Sequence, residues 1–92
     1  MKLTAKEAER ISKALGDPNR LKILHDVKQR EWMQCADICE NINLAQPSVS
    51  HHIKQLTDAG LLIAEKEGRN IRYTIDKKVI TAYTDYINTL KI

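Results

Sequence analysis

Cys35 and Cys39 stand four residues apart, His51 and His52 are adjacent, and His25 is the one other imidazole in the chain. On a helix, residues at i and i+4 share a face. The two thiols would then lie together as a soft-metal pair, a thiol switch or two small hydrophobes of a core. An intrahelical disulfide at that spacing is strained, so oxidation would have to distort the segment. Neighbouring histidines diverge by about 100° around a helix. No third Cys or His lies at ligand spacing, so neither a zinc site nor any other metal or cofactor is expected. Imidazole can also donate from one nitrogen and accept at the other, the chemistry of recognition. His25 reads as a partly buried structural histidine. There is no nucleophile–base–orienter set, no phosphate-cradling Gly loop and no H-E-x-x-H motif, so the chain is expected not to be an enzyme.

The elements that must position these groups follow from periodicity and caps. Leu3, Ala8, Ile11 and Leu15 recur near helical spacing and predict a helix over 3–15, ended by Gly16. Asp17 as N-cap and Pro18 in the first turn open a second helix over 18–29, with Leu21, Ile23, Leu24 and Val27 on its apolar face. Trp32-Met33 reads as a short extended piece before a third helix over 35–42. After Asn43-Leu44-Ala45, Gln46-Pro47-Ser48 opens a fourth helix with Val49, Ile53 and Leu56 inward and Gly60 as its stop. The rhythm then changes. Leu61–Ala64 is an apolar run of strand length, and residues 65–70 are polar with one Gly. Ile71, Tyr73 and Ile75 then alternate with Arg72 and Thr74, which is a β-hairpin signal. A last helix is predicted from Lys77 to about Leu90.

Ninety-two residues with 42% hydrophobic and 29% charged side chains make one globular domain, 1–92, and exclude fibrous and disordered classes. No apolar run approaches the ~18–20 residues of a membrane span, and the polar start MKLTAKEAER does not read as a signal peptide. No membrane association and a cytoplasmic location are therefore expected. A domain of this size buries only about 60–65% of its unfolded surface, and two cysteines supply no disulfide framework, so self-association is a reasonable expectation. The net charge of +3 is unevenly spread. Residues 1–30 sum to +4, residues 31–60 to −3 with Lys54 as their one base, and residues 61–92 to +2.

The order α-α-α-α-β-β-α is mainly α with a small β-hairpin. Two helices joined by a short turn just before the hairpin match a winged helix-turn-helix, which leaves the outer face of the second helix free for a major groove. With Val49, Ile53 and Leu56 inward, Ser48, His51, His52 and Gln55 fall on the outer arc, with Gln46 and Ser50 at its edges. These are short polar groups suited to base edges and phosphates, and Gln46 has the geometry to read adenine bidentately. His52 and Lys54 suit phosphate. Lys66, Arg69, Asn70 and Arg72 put positive charge near the hairpin tip, beside Glu65 and Glu67. That charge serves either solubility or contact with a nucleic-acid backbone. Arg20 and Lys22 are further phosphate candidates.

Residues 14–24, Ala-Leu-Gly-Asp-Pro-Asn-Arg-Leu-Lys-Ile-Leu, resemble the opening motif of the ArsR family of winged-helix repressors. Gln46-Pro47-Ser48-Val49-Ser50-His51-His52-Ile53, with Leu56 and Ala59-Gly60-Leu61-Leu62, is similar to that family's recognition helix and its exit into the wing. Gly68-Arg69 and Arg72-Tyr73 resemble its wing. The resemblance implies a homodimeric repressor that pairs through residues 3–15 and 77–90, binds a near-palindromic double-stranded operator and releases it on a signal. It places DNA contacts at Gln46, Ser48, Ser50 and His51.

The metal sites of the resembled family are not matched. Its arsenic and cadmium sensors carry two cysteines one residue apart before an Asp-Leu pair. Aligned on Asp37-Ile38, those positions hold Gln34 and Ala36. Its zinc and nickel sensors use Asp and His along the last helix. Here Asp76 and Asp85 are present, but no histidine follows His52. Cys35 and Cys39 remain either buried small hydrophobes or a thiol sensor. The competing function is a winged-helix module that binds protein and does not read DNA, favoured by the scarcity of bases in residues 31–60. Salt-dependent affinity for duplex DNA separates the two.

Overall fold

Thr4 starts the first helix through a reciprocal cap: the Glu7 N–H donates to Thr4 Oγ1 at 3.1 Å, and the Thr4 N–H donates to Glu7 Oε1 at 2.9 Å. In this computed structural model, which describes residues 1–91, helix α1 therefore covers Ala5–Leu15 rather than beginning at Leu3. The bond from the Thr4 backbone holds the Glu7 carboxyl below its usual range. Asp17 opens α2 (Pro18–Arg30) in the same way, accepting from the N–H groups of Asn19 at 2.8 Å and Arg20 at 3.2 Å. α2 ends at Glu31, whose φ of 74° places a non-glycine residue in a costly backbone region.

The extended piece beyond it is a true strand. β1 (Met33–Gln34) pairs antiparallel with β3 (Asn70–Ile75), with Met33 opposite Tyr73 and Gln34 opposite Arg72. β3 also pairs with β2 (Leu62–Glu67), so the expected hairpin becomes a three-stranded sheet in the order β1-β3-β2. A two-residue turn joins β2 to β3, with Gly68 at φ 63° in its first central position, the place where a type II′ turn requires glycine.

α3 spans Cys35–Glu40, two residues shorter than expected, because Asn41 and Ile42 tighten into i→i−3 bonds to Ile38 and Cys39. α4 is Gln46–Asp58, so the link between α3 and α4 is Asn41–Ala45 rather than three residues. α5 is Lys77–Asn88, capped by Asp76, and the segment expected to continue it to Leu90 is a 3-10 turn, Thr89–Lys91.

One apolar core gathers these elements, with Ile11, Ile23, Val27, Met33, Ile38, Val49, Leu56 and Leu61 essentially without solvent contact. Among the described residues no buried side chain is polar or charged. His25 departs from expectation: it is exposed, because the buried face of α2 runs through Ile23, Leu24 and Val27 and turns the next position outward.

Candidate nucleic-acid interface

α4 is fixed from inside by Val49, Ile53 and Leu56, which are 0%, 4% and 0% exposed. Its end is set at Gly60 (φ 82°), where the Gly60 N–H donates to Thr57 O and the Leu61 N–H to Leu56 O, both at 3.0 Å. The chain then passes into β2, so the wing is anchored directly to the end of α4. Gln46, Ser48, Ser50, His51, Lys54 and Gln55 are exposed on the solvent side of this helix. Asp58, at the last position, is the one acid within it. The surface is nearly neutral and rich in groups that donate and accept, which suits base edges better than bulk electrostatic attraction.

The candidate contacts separate into free and engaged groups. His51 is exposed, its ring centroid 6.1 Å from that of His52. His52 is half-buried at the flank of α4, where Arg20 Nη1 meets its Nδ1 at 3.2 Å. Lys54 is held by Asp58 at 3.0 Å, one turn on, and Lys22 by Asp26 at the same distance. Exposed pairs of this kind are weak and exchange readily for another anion. Ser50 lies on the other flank. It lines a cleft of about 240 Å³ between α4 and the sheet, with Cys35, Ile53, Lys54, Ala64 and Tyr73 among its walls.

In the wing, Lys66 and Arg69 are exposed and form no ion pair among the described residues. Arg72 is different. Its guanidinium carbon stands 4.5 Å over the Trp32 ring, and its Nη1 lies 3.5 Å from Glu67 Oε2. It is therefore shared between a cation–π contact and an ion pair at the base of the wing.

Cys35 and Cys39 are free thiols and half-buried on one face of α3. Burial pushes the Cys39 thiol up, and the neighbouring Cys35 adds to this through its charge and a hydrogen bond. Burial, with Cys35 beside it, also pushes the Tyr73 phenol up. A raised thiol disfavours the thiolate, which is the reactive form. Among the described residues, no three His, Cys, Asp or Glu side chains gather as a metal site.

Arg20 is a group whose task sequence reasoning missed. Its side chain turns back to the end of α1 and across to α4 rather than outward. Its position in the Asp17-Pro18-Asn19-Arg20 run was visible in the sequence, but its direction was not.

Comparison with known proteins agrees with this geometry. The family model of the bacterial regulatory proteins of the arsR family matches residues 17–64. An arsenical resistance operon repressor of Staphylococcus xylosus is 36% identical over 94% of this chain and 78% of its own length. The transcriptional repressor SdpR of Bacillus subtilis is 36% identical over 76% of this chain and 77% of its own. The crystal structure of an ArsR family transcriptional regulator superposes with a TM-score of 0.86 at 26% identity, over 99% of this chain and 93% of that one. The homodimeric winged helix-turn-helix DNA-binding domain from Mycobacterium bovis gives 0.75 at 23% identity, over 94% and 80%, and shares the fold. With its recognition helix, wing and opening motif in place, the chain belongs to the ArsR family of winged helix-turn-helix transcriptional regulators, which are not enzymes.

Proposed function

We propose that this chain is a homodimeric repressor that reads a near-palindromic duplex operator with α4 and holds the flanking phosphates with the wing. One observation carries the reading: Gln46, Ser48, Ser50 and His51 are all exposed along a helix whose opposite edge is locked in the core. Bidentate or paired contacts from such groups discriminate bases, and Lys66, Arg69, Arg72, Lys54 and the Nε2 side of His52 supply backbone contacts.

Two copies pair through residues 3–15 and 77–90, the segments that hold α1 and α5. These helices are joined within one chain by Ser12 Oγ and Tyr83 Oη at 2.9 Å. Along α5, Ile80 and Tyr83 are half-buried, while Tyr86 and Ile87 are each 40% exposed; Leu90, just beyond the helix, is 80% exposed. The row runs into an apolar groove of about 560 Å³ lined by Leu15, Leu21, Leu24, Ile75 and Ile80. An isologous pair covers such a strip in both copies and places two α4 helices on one DNA face, about one helical turn apart. Among the described residues no helix is long and apolar enough to cross a membrane. The proposed location is the cytoplasm, where duplex DNA and reduced thiols are found.

A thiol signal at Cys35 and Cys39 is the second reading, favoured by Cys35 lining the cleft beneath Ser50 and Lys54. Mass spectrometry of the native protein with and without reductant tests the dimer, bound metal and thiol oxidation together. A reduced, metal-free dimer whose DNA affinity ignores peroxide would leave the cysteines as packing groups.

The DNA reading is tested by letting the wild-type chain select duplexes from a random pool. Recovery of a near-palindromic sequence, bound with steep salt dependence, is the expected result. Recovery of no sequence, with no salt-dependent duplex affinity, would leave a winged-helix module that binds another protein.

A further inference from the structure

Arg20 stands in the first turn of α2, yet its guanidinium bonds to two other helices. Nε donates to Ala14 O at 2.7 Å and Nη2 to Lys13 O at 3.1 Å, both carbonyls of the last turn of α1, and Lys13 O also accepts the Gly16 N–H at 3.2 Å. Nη1 donates to His52 Nδ1 at 3.2 Å. A guanidinium has donors alone, so Nδ1 must accept, and the neutral ring carries its proton on Nε2. One half-buried side chain therefore pins α1, α2 and α4 together and fixes the tautomer of a residue on the DNA-facing helix.

The apolar contacts of α4 do not supply this. Val49, Ile53 and Leu56 hold the helix against the core, but burial is non-directional and tolerates small rotations about the helix axis. Hydrogen bonds are directional. The bond from Arg20 to His52 sets the rotation of α4, and with it where Ser48, His51 and the His52 Nε2–H stand relative to the groove.

We propose that Arg20 is a positioning residue for DNA reading, acting through His52 and making no contact with DNA itself. The inference rests on α4 being the DNA-reading helix. Because α1 belongs to the pairing surface proposed above, the same contact links the dimer to the reading head.

The test uses a duplex selected by the wild-type chain and a scrambled duplex of equal length. Arg20→Met removes the charge and all three bonds, and His52→Leu removes the acceptor. Arg20→Met is expected to weaken the selected duplex about tenfold, the scale of one hydrogen bond to a charged group, with scrambled-duplex affinity and salt slope unchanged, and His52→Leu, which also loses its own backbone contact, should weaken the selected duplex at least as much. The double variant should bind no more weakly than the weaker single. His52→Asn restores an acceptor near the Nδ1 position and should bind at least threefold more tightly than His52→Leu. That pair keeps the test intact if Arg20→Met fails to fold. In the wild-type chain, ring ¹⁵N shifts should report the Nε2–H tautomer at His52. A salt slope reduced by about one in Arg20→Met, with both duplexes weakened alike, makes Arg20 a phosphate contact and overturns the proposal. So do single effects that multiply in the double variant, an Nδ1–H tautomer, or His52→Asn binding no better than His52→Leu. Failure of the wild-type chain to select any duplex removes the DNA reading itself, and this inference with it.

Discussion

Helix α4 keeps Val49, Ile53 and Leu56 in the core and offers solvent a nearly uncharged arc, whereas the wing buries only Leu62 of β2 and carries five charged side chains between Glu65 and Arg72. The helix is oriented by packing and by Arg20. The wing is oriented by its backbone ladder and by the Arg72 contacts with Trp32 and Glu67. Base discrimination needs groups held to within a fraction of an ångström, and phosphate attraction does not. The rigid, neutral element therefore suits specificity, and the loosely packed, charged one suits affinity. This division explains how a chain of net charge +3, with one base in its middle third, can address a polyanion.

The contrast is most exposed to stability measurements. Leu56→Ala on the inner edge of α4 should cost about 3 kcal/mol in denaturant unfolding, the usual loss for a fully buried leucine. Ile71→Ala in the wing, where the side chain is 43% exposed, should cost about 0.5 kcal/mol or less. Similar losses at the two sites would erase the proposed difference in rigidity. On DNA, Ser50→Ala combined with His51→Ala should weaken a selected duplex by about a hundredfold while leaving scrambled duplex nearly unchanged, since base contacts carry discrimination. Lys66→Ala and Arg69→Ala should instead weaken both duplexes by a similar few-fold factor, each lowering the salt slope by about one. A wing variant that changed sequence preference would move specificity out of α4.

The smallest effect concerns the helical side alone. Burial pushes the Asp17 carboxyl up, but the N–H groups of Arg20 and Asn19, with the nearby Arg20 charge, outweigh it and hold the group below its usual range. A depressed carboxylate contributes stability above its unfolded pKa of about 3.9, and that contribution is lost as pH falls through the lower folded value. The melting temperature should therefore drop on acidification below about pH 4. The drop should be shallower in Asp17→Asn, because asparagine caps as well but does not titrate.

Most of the architecture could be read from residues that mark boundaries. Asp17-Pro18 and Gly60 locate ends of α2 and α4 because caps are local events, written within three or four positions of sequence. Most of the α4 arc was legible for the same reason, although His52, which helical geometry places on it, is half-buried against Arg20. What escaped depends on partners far along the chain. Met33-Gln34 is too short for any period, and becomes a strand only because β3 offers it an edge. Arg20 and Arg72 read alike as free cations, yet one is spent on the carbonyls of α1 and the ring of His52, and the other on Trp32 and Glu67. Charge can be counted from sequence; the direction of a long side chain cannot.

Trp32 is the sole tryptophan of the chain, 40% exposed beneath Arg72 at the junction of β1 with the wing. Intrinsic fluorescence excited at the indole band therefore originates from one spot, and that spot is the wing's root. A cation stacked on an indole changes its emission, so any displacement of Arg72 toward a phosphate would be visible without a label. The molecule carries its own optical gauge of wing engagement, separate from whatever α4 is doing.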